Sequence, residues 1–284
     1  VQSALGELFR MRGDWQRGLD AYRAASSLGP RDGSAMVDVA ETLWWMRCYP
    51  EALEAADRAI VLAPNQAWPY LAKVFTLWSW KGAEGLAQAR IAEGSLPADH
   101  EWTEWVLFWQ EACEGNYDEA LRRMEGDPEG WIRLKIQAVP KLLLAAVLRA
   151  ARGDAERARP GFETARKMIE AELPSAPEDA RYHSSLGVAL AGLGRREAAV
   201  REGRRGLELL PVAADAVYGV SHVIDLAHIH VLLGDTEEAL GQLEFLLSRP
   251  GWISEPFLRM DPRWRPLQGD ARFEALLAKY AVER

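Results

Sequence analysis

The side chains with the greatest capacity for chemistry in this sequence are indoles. The 284 residues include 12 tryptophans, and nine of these fall between positions 44 and 131: Trp44, Trp45, Trp68, Trp78, Trp80, Trp102, Trp105, Trp109 and Trp131. An indole presents a broad apolar face and one N–H donor. A cluster of them can therefore stack on a sugar, hold a cationic group, or receive proline and other apolar side chains of a peptide. Trp102, Trp105, Val106 and Trp109 follow the spacing i, i+3, i+4, i+7, which puts all four on one helical face. Trp44 and Trp45 follow shortly after the carboxylates Asp38 and Glu41, and Tyr70 and Trp78 lie between the two groups. The candidate binding residues are thus Asp38, Glu41, Trp44, Trp45, Tyr70, Trp78, Trp102, Trp105 and Trp109, an aromatic groove with an acidic component. The competing use of the same indoles is to pack neighbouring helices together, and the spacing alone leaves both uses open.

Other patterns support less. His222, His228 and His230 share one predicted helix with Asp225, but two groups at i, i+3 need a third ligand from elsewhere to hold a metal. Gly219-Val220-Ser221-His222 lacks the second glycine of a nucleophile elbow and falls in helix. Gly192 and Gly194 are followed by no third glycine at dinucleotide-binding spacing, and no phosphate-loop pattern occurs. Cys48 and Cys113 are too few and too far apart for a metal clip or a disulfide scaffold. No catalytic residue, metal site or cofactor is expected.

Composition narrows the partners. Lys and Arg total 34 against 42 Asp and Glu, a formal net charge of -8 that opposes nucleic acid and anionic lipid. The longest apolar stretch, 139–151, is interrupted by Lys141 and Arg149 and is too short to span a membrane. The expected location is cytoplasmic. Because the chain begins at Val1 directly in helical pattern, it is expected to be part of something longer.

The elements that position these residues come from a repeat. Gly13-Asp14, Arg47-Cys48, Gly82-Ala83, Gly115-Asn116, Gly153-Asp154, Gly194-Arg195 and Gly234-Asp235 each separate two helical patterns, at spacings of 34, 35, 33, 38, 41 and 40. About five positions after each turn a small residue recurs: Gly18, Ala52, Gly85, Ala120, Ala158, Ala199 and Ala239. Before the turn, Leu5-Gly6, Val39-Ala40, Leu186-Gly187 and Leu226-Ala227 repeat a large-small pair, and Pro30, Pro64, Pro97 and Pro211 close units. The longer spacings of the second half predict one or two extra helical turns per unit. No strand pattern of useful length is seen.

This pattern resembles the tetratricopeptide repeat family, most clearly at Met36, Val39, Ala40, Leu43, Ala52, Ala56, Ala59 and Pro64, and at Ala158, Phe162 and Ala165. The third and fourth units match less well, with Lys73 or Val74 and Phe108 where small residues belong. The tail from Phe257 through Asp261-Pro262-Arg263-Trp264 to Phe273 and Leu277 resembles the ends of such regions in bacterial multidomain signalling proteins: kinases, cyclases and winged-helix regulators. The resemblance implies an all-α, right-handed solenoid of about seven helical hairpins with a C-terminal capping helix. Residues 1–251 would form the repeats and 252–284 the closing loop and helix of a single elongated domain. It further implies that the first helix of each hairpin lines a concave groove. The expected function is a protein or peptide interaction module without enzymatic activity, the docking part of a larger bacterial protein. The alternative is a domain sensing a small molecule such as a sugar or amphiphile, marked by an enclosed pocket instead of an open channel.

Overall fold

The structure, a computed structural model, describes residues 1–282. Seven helical hairpins follow one another: α1 (Gln2–Met11) with α2 (Trp15–Leu28), α3 (Gly33–Trp45) with α4 (Tyr49–Leu62), α5 (Ala67–Lys81) with α6 (Leu86–Glu93), and α7 (Thr103–Glu114) with α8 (Tyr117–Glu125). Then come α9 (Lys141–Ala151) with α10 (Ala155–Glu172), α11 (Ala180–Gly192) with α12 (Arg196–Leu209), and α13 (Gly219–Leu233) with α14 (Thr236–Leu247). A short helix α15 (Glu255–Met260), a 3-10 turn (Pro262–Leu267) and α16 (Ala271–Lys279) close the chain. The all-α solenoid is as the repeat pattern predicts.

Each hairpin forms where the sequence changes hand for one residue. The seven turns carry a positive φ at Gly13, Arg47, Gly82, Gly115, Gly153, Gly194 and Gly234. This left-handed conformation reverses the chain and favours glycine. The small residues after the turns are buried at the helix crossings, Ala52, Ala120, Ala199 and Ala239 completely so. At the α11–α12 crossing a Cβ on Gly187 would stand 2.9 Å from the Gly203 nitrogen, so the two backbones meet with no side chain between them. Side chains of Asp14, Asp32, Asp154 and Asp179 accept from the first amides of α2, α3, α10 and α11 and fix where these helices start.

The extra length of the second half is distributed differently from the expectation of longer helices. Only α10, at 18 residues, gains a turn. Between α8 and α9 the chain instead makes an antiparallel ribbon of β1 (Trp131–Arg133) and β2 (Ala138–Pro140), with Trp131 opposite Pro140. Between α12 and α13 it makes a run of turns over residues 211–218. The ribbon escaped the sequence reading because three residues per strand are too few to show alternation.

The chain also curls back on itself. The Ala216 amide donates to Met11 O at 2.7 Å, joining the sixth-to-seventh connection to the first hairpin. The segment after α14 crosses the concave side, and Gly251 N–H donates to Trp45 O at 2.9 Å. The exposed surface of 12437 Å² is close to the roughly 12,200 Å² expected of a compact monomer of this mass. Phe273 and Leu277 of α16 are fully buried and the helix packs on α14, covering the last hairpin.

Candidate functional site

The first helices of hairpins one to four face inward, and their inner residues wall one cavity. Arg10 comes from α1, and Glu41, Trp44 and Trp45 come from one face of α3 at spacing i, i+3, i+4. From α5 come Trp68, Phe75, Trp78 and Ser79, and Trp102 and Trp105 come from the start of α7. The far wall is supplied by the inserted segments and the tail: Ile136 from the ribbon loop, Val217 and Tyr218 from the 211–218 turns, Trp252 from the crossing segment and Phe257 from α15. The cavity volume is about 100 Å³. Fifteen residues, most of them aromatic or apolar, surround this small volume, so the space is a narrow one between rings.

Phe75 is the hub of the aromatic wall. It stacks on Trp44 at 5.2 Å and meets Trp78, Trp102 and Trp105 edge-on at 5.8, 5.7 and 6.2 Å. Trp15 stacks on Trp45 at 5.3 Å, and Trp68 meets Trp102 at 5.8 Å. Two indoles are fixed by hydrogen bonds: Trp44 Nε1 donates to Ser79 Oγ at 2.8 Å, and Trp78 Nε1 to Gln110 Oε1 at 2.7 Å. Trp105 Nε1 and Arg10 Nε, both on lining residues, are buried donors without a protein partner. Such orphans are uncommon in folded proteins.

At the polar end, Arg10 Nη1 donates to Glu41 Oε2 at 3.1 Å, and the guanidinium lies 5.1 Å from the centre of the Tyr22 ring. Burial pulls the Arg10 pKa down, but Glu41, Tyr22 and Asp38 more than offset it, so the group stays charged. Burial pushes the Asp38 carboxyl up to about 7, with neighbouring Glu41 adding to the rise and Arg10 opposing it.

Six of the nine candidate residues meet at this cavity: Glu41, Trp44, Trp45, Trp78, Trp102 and Trp105. Three are placed elsewhere. Trp109 is covered by the guanidinium of Arg263, 4.3 Å from the ring centre, because the tail packs over the C-terminal end of α7's inner face. Tyr70 turns aside to donate its hydroxyl to Pro64 O at 3.0 Å. Asp38 lies behind Glu41, off the cavity wall. The two expected uses of the indoles also coincide here. Trp44, Trp45, Trp102 and Trp105 are each at most 8% exposed, packed between hairpins on one side while lining the cavity on the other.

Phe75 was within reach of the sequence, since it lies seven residues after Trp68 and three before Trp78 on one helical face. Ile136, Val217 and Trp252 carry no such signal, because they reach the cavity from irregular segments far apart in the chain. The histidines of α13 serve packing. His222 Nδ1 pairs with Ser184 Oγ at 2.8 Å, His228 meets the Trp264 ring, and burial pushes them down to about 4 and about 3 respectively. Among the described residues no group of three or more metal-ligating side chains converges, and no helix is long and apolar enough to cross a membrane.

No protein-family model and no curated protein matches the sequence. Solved structures with a similar backbone include the Cut9–Hcn1 assembly of APC/C, at 14% identity and TM-score 0.48 over 99% of this chain. This chain spans 48% of that one. A tetratricopeptide repeat protein from Parabacteroides merdae aligns over 98% of this chain and 97% of its own, at 12% identity and TM-score 0.49. A thermophilic TPR protein of Thermus thermophilus aligns over 74% of this chain and 90% of its own, at 18% identity and TM-score 0.37.

Proposed function

We propose that this chain is a non-catalytic interaction scaffold whose concave side carries a sensing cavity for one compact, flat, apolar molecule with a carbonyl or carboxylate acceptor. The observation that carries this reading is the composition of the cavity wall. Indoles of α3, α5 and α7 face Val217, Tyr218 and Trp252 from the other end of the chain, so an occupant touches both ends of the closed ring. Its narrowness favours a planar body over an extended peptide, and the orphan donors of Trp105 and Arg10 support an acceptor on it. An occupant that prefers the closed ring shifts the molecule toward it, which is what a sensing domain requires. On the likeness of the tail, the same proposal makes the chain the sensing or docking part of a larger bacterial signalling protein, with a protein partner on its outer surface.

Titration of the intrinsic tryptophan fluorescence tests the reading. Naphthalene-2-carboxylate is expected to quench saturably, and Val217→Trp, which fills the cavity from a partly exposed position, to abolish the quench while the helical circular dichroism stays the same. Binding of phenyltrimethylammonium in place of the carboxylate would transfer the site to cations, with Glu41 as the anionic partner. Equal quenching of wild type and Val217→Trp would place the binding elsewhere.

A further inference from the structure

Glu93, the last residue of α6, is 4% exposed, and both of its carboxyl oxygens are buried without a hydrogen-bond partner. Two ion pairs flank it and pass it by. Arg90 of α6 donates from Nε to Glu114 Oε1 at 3.0 Å and from Nη2 to Glu114 Oε2, while Arg123 of α8 donates from Nη2 to Glu111 Oε1 at 2.9 Å. Glu111 and Glu114 both stand on α7, so three carboxyls share two guanidiniums, and the third has none. A carboxyl so placed is tolerated while neutral and costly once charged. Burial pushes Glu93 up to about 7; Arg90 and Arg123 oppose the rise, and Glu114 and Glu111 add to it. The cations of α5, the other helix packed on α6, are engaged elsewhere, Lys73 with Asp57 and Lys81 over the Trp80 ring, and Glu84 in the turn before α6 is exposed.

A second observation ties this cluster to the cavity. Glu114 Oε1 also accepts from Gln110 Nε2 at 2.6 Å, and the fully buried Gln110 accepts in turn from Trp78 Nε1 at 2.7 Å. Trp78 is part of the cavity wall. Hydrogen bonds therefore run unbroken from Arg90 through Glu114 and Gln110 to an indole of the cavity. Gln110 is aimed at that indole by what its Nε2 holds, Glu114 and Leu86 O at 2.9 Å. Arg90 and Glu93 stand at i, i+3 on α6, the spacing at which side chains of a helix meet, so one guanidinium lies within reach of two carboxyls.

We propose that Glu93 is a proton-operated latch on the cavity wall. With Glu93 neutral, Arg90 belongs to Glu114, the bidentate pair clamps α6 to α7, and Gln110 fixes the Trp78 indole. With Glu93 ionised, the new buried charge competes for Arg90, the pair to Glu114 weakens, and the indole loses its fixed partner. An occupant of the cavity is then held better on the acid side of neutrality than on the alkaline side. The regulatory consequence rests on the sensing reading of the cavity; the latch itself is a property of the wall and is measurable without an occupant.

The first test uses the full chain with nothing added. The Trp78 indole N–H resonance, assigned by triple-resonance spectra, is expected to shift with a midpoint near 7 as pH is raised from 5.5 to 8.5. Glu93→Gln is expected to abolish the shift and leave the resonance at its acid position. Arg90→Met, on a partly exposed side chain, is expected to abolish it too, with the resonance near its alkaline position. A Trp78 resonance that does not titrate in wild type, or that titrates equally in Glu93→Gln, overturns the proposal. The second test reads binding in an Asp38→Asn background, where the carboxyl behind Glu41 no longer titrates. Affinity for naphthalene-2-carboxylate is expected to fall about fivefold from pH 6 to pH 8, at the low end of ordinary coupling between sites, and adding Glu93→Gln is expected to make it equal at both. An equal fall with and without Glu93→Gln overturns the latch as well. Absence of binding at both pH values counts against the occupant and not the latch, which the indole titration decides.

Discussion

Asp38 shows how one side chain can set a pH dependence. Its carboxyl is pushed up to about 7 in the folded chain, by burial first and Glu41 second, whereas an unfolded chain titrates it near 4. The native state therefore binds more protons than the unfolded one between these values, so stability falls as pH rises through that interval. Asp38→Asn removes the titration. It is expected to raise the melting temperature over wild type at pH 8 and to change it little at pH 4.5, with roughly 1 kcal/mol corresponding to about 2 to 4 °C for a chain of this size. Thermal denaturation at the two pH values checks this, and an equal gain at both would show that the carboxyl is not the cause. Glu93 carries the same signature, buried without a hydrogen-bond partner and pushed up to about 7. Trp109 gives the complementary lesson. Its helical spacing matched Trp102 and Trp105, yet Arg263 covers it, and no local pattern announces a cover that arrives from 154 positions later.

Hairpins are held together by their small residues, and the structure separates those that are required from those that are not. A Cβ on Gly187 would meet Ile229 Cδ1 at 2.7 Å and the Gly203 nitrogen at 2.9 Å, so Gly187→Ala must push α11 away from both α12 and α13. A loss of about 1 to 3 kcal/mol is expected from such overpacking. Gly241 in α14 has nothing within 4 Å of its Cβ position, and Gly241→Ala is expected to gain about 0.5 to 1 kcal/mol from backbone entropy alone. Urea denaturation of both variants checks the contrast; if they shift the midpoint in the same direction, the crossing is looser than drawn. The insertions belong to this scale too. The ribbon loop and the 211–218 turns lengthen their units without lengthening the helices, and they deliver Ile136, Val217 and Tyr218 to the cavity.

For the whole molecule, closure is the decisive property. Hairpins one and two meet the later part of the chain through Ala216, Gly251 and the carbonyls held by Arg47, and the cavity lies along that seam. Small-angle scattering of the wild-type chain is expected to give a radius of gyration near the compact-domain value of about 19 Å. Arg47→Gly is expected to raise it as the seam loosens. A wild-type value several ångström larger would mean that the hairpins form an open superhelix in solution.

Much of this was legible in the sequence for a local reason. Turns, caps and small-residue crossings are set by a residue and its neighbours within one or two helical turns, so residues such as Gly13, Gly153, Ala52 and Ala199 marked the hairpins, while the inward side of each was implied by the family resemblance. Helical spacing likewise gathered Trp44 and Trp45 on one face and Trp102 and Trp105 on another. What only the tertiary structure decided is how the ends of the chain meet. Trp252, Val217 and Arg263 act through contacts 100 to 200 positions away along the chain, formed by irregular segments with no period to read. Periodicity specifies which face of a helix is apolar. Whether that face meets solvent, a ligand or the chain's own tail depends on the accumulated curvature of seven packed hairpins, a sum of small angles that no single repeat contains.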